Sequence, residues 1–475
     1  MGSDAAGYSN WINEEFSEIQ FSDKRLKSRF FKMANQLSKK SEAPINQACE
    51  DWADTKAAYR FFNNEKVSAT QIISEHYKRT EERTRNLDTV LVIQDTCYLS
   101  YTHHPKTTGL CNIRGEIKGL VMHTALAVRH DGLPVGILHQ KTWSRAPNLK
   151  KSRNYRFVPI EEKEPFKWID ALRESVKLLN TVQKKSQIIS VADREADVFE
   201  FMDEHKKLGS SFIIRAKSNR PINKAKKRSK TSKMLWGYME KISPCGIIEV
   251  EVPEKKNDHK RVAKVSISFS EVNIQPPTNK TKNKDGDLYG FVVGVVFAKE
   301  INPPQDVEGL EWMLLTDLVL KNIEDAAQVI NYYKMRWIIE SYHKVLKSGC
   351  NIEECRLQTA DRLIRYITLM SVIAWRLYYI TYIARGAEQD SICTKILTVN
   401  EWKALYLKVN REKSLPNEPP TIAQAIHWIA RLGGFLGRKN DGQPGITVLW
   451  RGWTRLNEIT DNYLLFSESK LMGNS

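Results

Sequence analysis

The run NIEDAAQVINYYKMRWIIESYHKVLKSG, residues 322–349, decides how this chain is read. At about 100° per residue, Tyr333, Arg336, Glu340 and Lys347 fall within roughly one sixth of a helix circumference. Met335, Ile338, Ile339, Tyr342, Val345 and Leu346 fall on the opposite side. The spacing predicts one continuous amphipathic helix with its apolar face against a core. The other face then carries a phenol, a guanidinium, a carboxylate and an ammonium in one narrow stripe. On a solvated surface such a stripe is a set of ion pairs one turn apart. Beside a metal and a phosphate, the carboxylate goes to the metal and the cations to the phosphate. The helix alone leaves both readings open, and the choice depends on the rest of the chain.

The 475 residues are 41% hydrophobic, enough for more than one domain with a sizeable core. A formal net charge of +17 favours nucleic acid or an anionic membrane as partner. No run of about 18 apolar residues is found, so no membrane-spanning helix is expected. Residues 1–4, MGSD, lack the basic and apolar regions of a signal peptide. A cytoplasmic protein with no membrane partner is the expectation. The cysteines are Cys49, Cys97, Cys111, Cys245, Cys350, Cys355 and Cys393, an odd and scattered set that reads as reduced thiols. Cys350 and Cys355 have no second pair at zinc-finger spacing. No P-loop pattern occurs, and residues 433–437, GGFLG, read as a turn.

Upstream of about residue 75 the pattern is one of short helices. Ser22 is the expected N-cap of a helix that buries Leu26, Phe30, Met33, Ala34 and Leu37. A second helix is expected from Trp52 to Phe62, and a third from Ser68, where Gln71 completes a capping box. Arg25, Arg29, Lys39 and Arg60 give this small module a basic character suited to DNA phosphates. A solvated basic face is the competing reading.

From Thr89 the pattern changes. Val90–Ile93 reads as a buried strand ending at Gln94 and Asp95, and Tyr98–Tyr101 as the start of another. Strands over 121–129 and 135–143 flank the turn at His130, Asp131 and Gly132. A helix over 164–182 precedes a short strand, Ile188–Val191, that ends at Asp193. Another helix and the strand Phe212–Arg215 follow. The run 224–233 is strongly basic. Three β-like runs, 246–252, 262–269 and 289–298, with a polar loop at 279–287, read as an insertion. Trp312–Leu315 gives one more strand before the opening helix. Beyond about residue 385 the chain is mostly helical. This is an α/β core with acids at the C-terminal ends of strands, where open α/β sheets place their ligands.

Asp95, Asp193 and Glu340 are thus the candidate carboxylates. Three converging acids can hold divalent metals for an in-line phosphoryl displacement, and Mg²⁺ suits carboxylates and phosphates together. Each Asp could instead cap the following helix. Glu195 and Asp197 are alternative ligands, but Asp193 is nearest the strand end.

With these residues in view, VIQDT (92–96), ADREAD (192–197) and the spacing Y-x2-R-x3-E-x6-K (333–347) resemble the DDE transposases of the IS-four group, in particular its transposon Tn-five branch. DKRLKSR (23–29), IARLGGF (429–435) and LWRGW (449–453) extend the resemblance over nearly the whole chain. The resemblance implies an RNase H-like α/β catalytic core over 76–385, with a β-strand insertion at about 221–310. It implies a helical DNA-end-binding domain over 1–75 and a helical dimerisation domain over 386–475. Asp95, Asp193 and Glu340 would be catalytic metal ligands for Mg²⁺, with Mn²⁺ as a substitute. Tyr333, Arg336 and Lys347 would grip phosphates near the cut. Trp312 would stack on a base flipped out during hairpin formation. Arg215, Lys217 and Arg220 would be further DNA contacts, and Arg25, Arg29, Lys39 and Arg60 would belong to end binding. The implied activity is cut-and-paste transposition: nicking at double-stranded transposon ends, hairpin formation and opening, and strand transfer into target DNA, by a homodimer on paired ends. A catalytically silent DNA-binding regulator and an RNase H-like nuclease without strand transfer are the alternatives. Some members of the group make a shortened inhibitor from an internal Met, but no Met lies between Met33 and Met122 here.

Overall fold

The computed structural model describes residues 10–145, 158–180, 186–222, 234–252, 261–277, 282–283, 286–305, 307–386, 388–411, 414–438 and 441–472. The basic run at 224–233 and most of the polar loop at 279–287 lie outside the described residues.

The chain opens with α1 (Asn10–Glu15), α2 (Lys24–Lys39), α3 (Ile45–Ala48), α4 (Trp52–Phe62) and α5 (Ala69–Thr84). Asp23, rather than Ser22, caps α2, its side chain accepting from the Arg25 N–H at 2.8 Å. A carboxylate one residue closer to the helix takes the cap from the hydroxyl. Leu26, Phe30, Met33, Ala34 and Leu37 are buried as their spacing requires. Ser68 and Gln71 form the capping box of α5. The rings of Phe16, Phe21, Phe30 and Phe61 pack at 5.0–5.9 Å and make the centre of this module.

Next come β1 (Thr89–Ser100), β2 (Cys111–Arg114), β3 (Ile117–Arg129), β4 (Pro134–Trp143), α6 (Phe166–Leu179), β5 (Gln187–Ala192), α7 (Phe199–Leu208) and β6 (Ser211–Arg215). Then follow α8 (Leu235–Met239), β7 (Gly246–Val252), β8 (Arg261–Ile274), β9 (Lys282–Asn283), β10 (Gly286–Asp287), β11 (Phe291–Glu300) and β12 (Glu311–Thr316). One sheet runs in the order β2-β3-β1-β5-β6-β12-β11-β8-β7, with β4 also paired to β3. Only the β1–β5 and β5–β6 ladders in it are parallel. Of the strands in the expected insertion, β7, β8 and β11 are therefore hydrogen-bonded into the sheet that carries Asp95 and lengthen it, while β9 and β10 pair with each other. The expected break after Asp95 is absent. Residues 89–100 form one strand, because β3 pairs with it from Val90 to Ser100. What stops near Asp95 is the parallel ladder to β5, which ends at Ile93.

The remaining helices are α9 (Ile323–Lys334), α10 (Trp337–Lys344), α11 (Ala360–Ile383), α12 (Val399–Asn410), α13 (Ile422–Leu432) and α14 (Ile446–Met472). The continuous helix expected over 322–349 is interrupted. Met335 and Arg336 form a turn between α9 and α10, and residues 345–349 wind into a π-helical turn. α11 is long and apolar enough to cross a membrane by composition, but 78% of its apolar window is buried inside the fold. Its Arg365 donates to the carbonyls of Val67 (2.6 Å) and Phe62 (2.9 Å), tying it to the N-terminal module. A second tie joins α1 to the core. Arg83 on α5 donates to both oxygens of Glu15 at 2.8 and 3.0 Å and lies 4.3 Å over the ring of Trp375 on α11. Gly136 lets α5 approach β4, since a Cβ there would collide with the side chain of Thr80. α14 returns to α2, where Lys39 meets Asp461 at 2.8 Å.

Candidate active site

The site is built at the end of the parallel ladder. Ile93 pairs with Val191 at the end of that ladder, so Asp95, two residues further along β1, and Asp193, the first residue past β5, leave the ladder at the same end, and the Asp193 charge is felt at Asp95. Ala192 pairs with Ile214, which sets Arg215 beside Asp193, and Arg215 in turn pairs with Leu314 on β12. A row of side chains from β1 to β12 thus carries two carboxylates and a guanidinium. Asp193 also caps the following turn, its Oδ1 accepting from the Glu195 N–H at 2.8 Å.

The turn at Met335 and Arg336 covers this row. Tyr333, near the end of α9, is buried, and its ring meets that of Trp312 edge-on at 5.2 Å. Arg336 stands 2.6 Å from Glu340 and 5.1 Å from the ring centre of Trp337. Burial works against the Arg336 charge, yet the Tyr333 phenol, Glu340 and Asp95 together hold its pKa above the ordinary value. Burial pushes the Asp95 carboxyl up to about 7. Asp193 and Glu340 add to the rise, and the Thr96 N–H and Arg336 oppose it. Asp95 therefore registers the charge of both other candidate carboxylates. Arg215 is half-buried, donates to the Glu311 carbonyl at 2.8 Å, and is drawn below its ordinary pKa by burial.

Lys347 donates to the Tyr98 carbonyl at 3.0 Å and lies 3.2 Å from Glu353. It therefore sits against β1, the strand that carries Asp95. Lys217 is exposed; its N–H and that of Ser218 donate to one oxygen of Asp197, at 2.8 and 2.9 Å. Arg220 holds the other oxygen of Asp197, a fully buried carboxylate. Asp197 is thus committed to shaping the loop after β6. In the N-terminal module Arg25 is exposed beside Asp23, Arg60 is exposed on α4, and Arg29 is half-buried on α2. Lys39 faces Asp461 instead.

Among the described residues, no group of three His, Cys, Asp or Glu side chains stands ready to hold a metal ion. The reason is local: Glu340 turns to Arg336, and one Asp193 oxygen is taken by a backbone N–H. Carboxylate oxygens are the donors that a hard divalent cation takes, and half-buried Asp95 feels the charges of both Asp193 and Glu340. His343 is a residue that sequence reasoning passed over. It is buried, its Nδ1 lies 3.7 Å from Asp95, and burial lowers its pKa to about 3, so it faces the carboxylate as a neutral imidazole. Its place three residues after Glu340, one helical turn on, was the available signal.

Three family models match the chain: Transposase DNA-binding over residues 8–67, Transposase DDE domain over 169–377, and Transposase Tn5 dimerisation domain over 372–464. The DDE match contains Asp193, Trp312, Tyr333, Arg336, Glu340 and Lys347, and begins after Asp95.

Proposed function

We propose that this chain, which belongs to the Tn5-type DDE transposases, is a cut-and-paste transposase that nicks transposon ends, closes and reopens a hairpin, and joins the ends to target DNA. The observation that carries the reading is the placement of Asp95 on β1 and of Asp193 just past the end of the neighbouring parallel strand β5, with the charges of Asp193 and Glu340 both acting on Asp95. Asp95, Asp193 and Glu340 would hold the metal, Mg²⁺ with Mn²⁺ as a substitute. Bound there, it would activate the attacking oxygen and stabilise the leaving one.

The chain's own residues have separable tasks. Arg336 and Arg215 supply fixed positive charge for the phosphate that crosses the carboxylate row. Lys347 fixes the β1 backbone and leaves part of its ammonium exposed to the strand. Trp312, backed by Tyr333, offers an aromatic edge and face for an extruded base. The α2–α4 module, with Arg25, Arg29 and Arg60, binds the end, and Lys217 and Arg220 border the same cleft. The C-terminal helices join two copies, so that two ends are held together.

The test is a Mg²⁺-dependent assay on the ends of the DNA element that encodes this chain. Nicks at the element boundary, a hairpin species and joined products in a supercoiled plasmid are expected. Cleavage without joining would move the reading to a nuclease, and binding without cleavage to a silent regulator. Binding should weaken steeply with salt, as for a protein that neutralises many phosphates.

A further inference from the structure

β1 runs past the end of β5 to Ser100, and its last turn of pleat carries Tyr98 on the face opposite Asp95. Tyr98 is 37% exposed, unusual for a strand residue three positions from a catalytic carboxylate. It is nonetheless held in place. Arg145 reaches its hydroxyl at 3.4 Å and lies 5.3 Å from its ring centre. Arg145 is itself fixed, with two hydrogen bonds to Glu164 (2.9 and 2.6 Å) and one to the Ile113 carbonyl (2.8 Å). From below, Lys347 pins the Tyr98 carbonyl. A ring held by Arg145 on a backbone pinned by Lys347, and left partly open to solvent, is pre-organised for a planar ligand.

Its surroundings agree. Tyr98 pairs with Val121 on β3, and Val121 with Trp143 on β4, so the two aromatics lie in one row on one face, roughly 10 Å or two strand spacings apart. Val121 belongs to a small apolar cluster separate from the main core, and Trp143 packs half-exposed at its rim. Arg114 on the β2–β3 hairpin is exposed nearby.

We propose that Tyr98, braced by Arg145 and accompanied by Trp143, is a stacking platform for unpaired DNA bases on the side of the carboxylate row away from Trp312. A paired duplex keeps its base faces covered and presents only phosphates and groove edges. The ring faces here select a strand whose bases are unstacked. Arg145 is neutralised by Glu164 and serves the ring, so the platform reads bases more than charge. Opening the DNA end or the target creates such a strand within a few residues of Asp95. The inference rests on the transposase reading for its substrate, but the platform can be measured apart from it.

The test compares binding of the full chain to a labelled oligothymidylate and to a duplex of matched length. Tyr98→Ala should weaken single-strand binding about tenfold and leave duplex binding within about twofold. Tyr98→Phe should restore it, and Tyr98→Leu, which keeps bulk without a π face, should behave as Tyr98→Ala. Unchanged single-strand affinity in Tyr98→Leu, or an equal loss on duplex, would overturn the platform. If the wild-type chain prefers the single strand but leaves the element ends uncut in Mg²⁺, the platform stands and the transposase reading fails.

Discussion

Nη1 of Arg336, at the start of α10, stands 2.6 Å from Oε1 of Glu340, one helical turn further on. The third candidate metal ligand therefore rests on a guanidinium. A divalent cation must compete with that charge, and the competition has a measurable side. Arg336→Ala should bind Mn²⁺ about fivefold more tightly, read by titration of the free protein, while end cleavage slows because a phosphate contact is lost. Unchanged or weaker Mn²⁺ binding would mean that the pair does not guard the ligand.

Asp193 and Asp197 are close in sequence and differ in task. Asp193→Ala should abolish cleavage of an end duplex and keep its binding in a gel-shift assay. Asp197→Ala strands the Arg220 guanidinium and two backbone N–H groups. It should cost about 3 kcal/mol of stability in denaturant unfolding. Cleavage by a stably folded Asp193→Ala would remove this residue from the metal site.

Trp312 leans on Tyr333 at 5.2 Å, and Tyr333 is buried. Trp312→Ala should slow hairpin formation at least tenfold more than the first nick, since stacking contributes about 1–3 kcal/mol per base. The two steps can be timed on one end-labelled duplex. Equal slowing of both would point to general loss of DNA grip.

The tie from Glu15 to Arg83 and His76 has an acid limit. Burial alone would raise the Glu15 pKa, but the Arg83 and His76 interactions outweigh it and lower the value from 4.5 to about 2. A depressed carboxyl stabilises the fold fully above its unfolded pKa, and that stabilisation is lost as pH falls from about 4.5 towards 2. The full effect is about 3 kcal/mol. Melting scans across this window should show a steep decline in the wild type and a flatter one in Glu15→Gln. Parallel curves would exclude Glu15 as the titrating group.

Leu465 and Phe466 are 64% and 71% exposed on α14, immediately after the dimerisation match ends at residue 464. Apolar surface exposed to this extent suits a contact with a second copy. Leu465→Asp with Phe466→Asp should shift the assembly on DNA ends towards monomer in sedimentation, and cut joined products more than single-end nicks. An unaltered assembly would place the dimer contact elsewhere on the C-terminal helices.

Much of this was legible from residue spacing. The apolar partners Ile338, Ile339, Tyr342, Val345 and Leu346 are buried as their helical period demands. The short parallel strand before Asp193 is where its β-branched run puts it. Three features were not legible, each for a tertiary reason. β1 continues through Asp95 because a partner strand from residues 117–129 extends it. Asp197 turns inward because a loop twenty residues later supplies its donors. The opening helix breaks at Met335 and Arg336, which its sequence alone does not require, since neither Gly nor Pro lies there.

That break divides the Tyr333–Lys347 signature between two helices with different neighbours. α9, with Tyr333, packs on β8 and β11, which lengthen the sheet, and also on β5 and β6 of its parallel part. α10, with Glu340, packs on β1 and α11. Tyr333 thus shares its support with Asp193 and with the lengthened sheet, whereas Glu340 shares its support with Asp95. Substitutions in β8 and β11 therefore reach the Trp312–Tyr333 pair, through α9 and β12, from a part of the sheet that bears none of the three carboxylates.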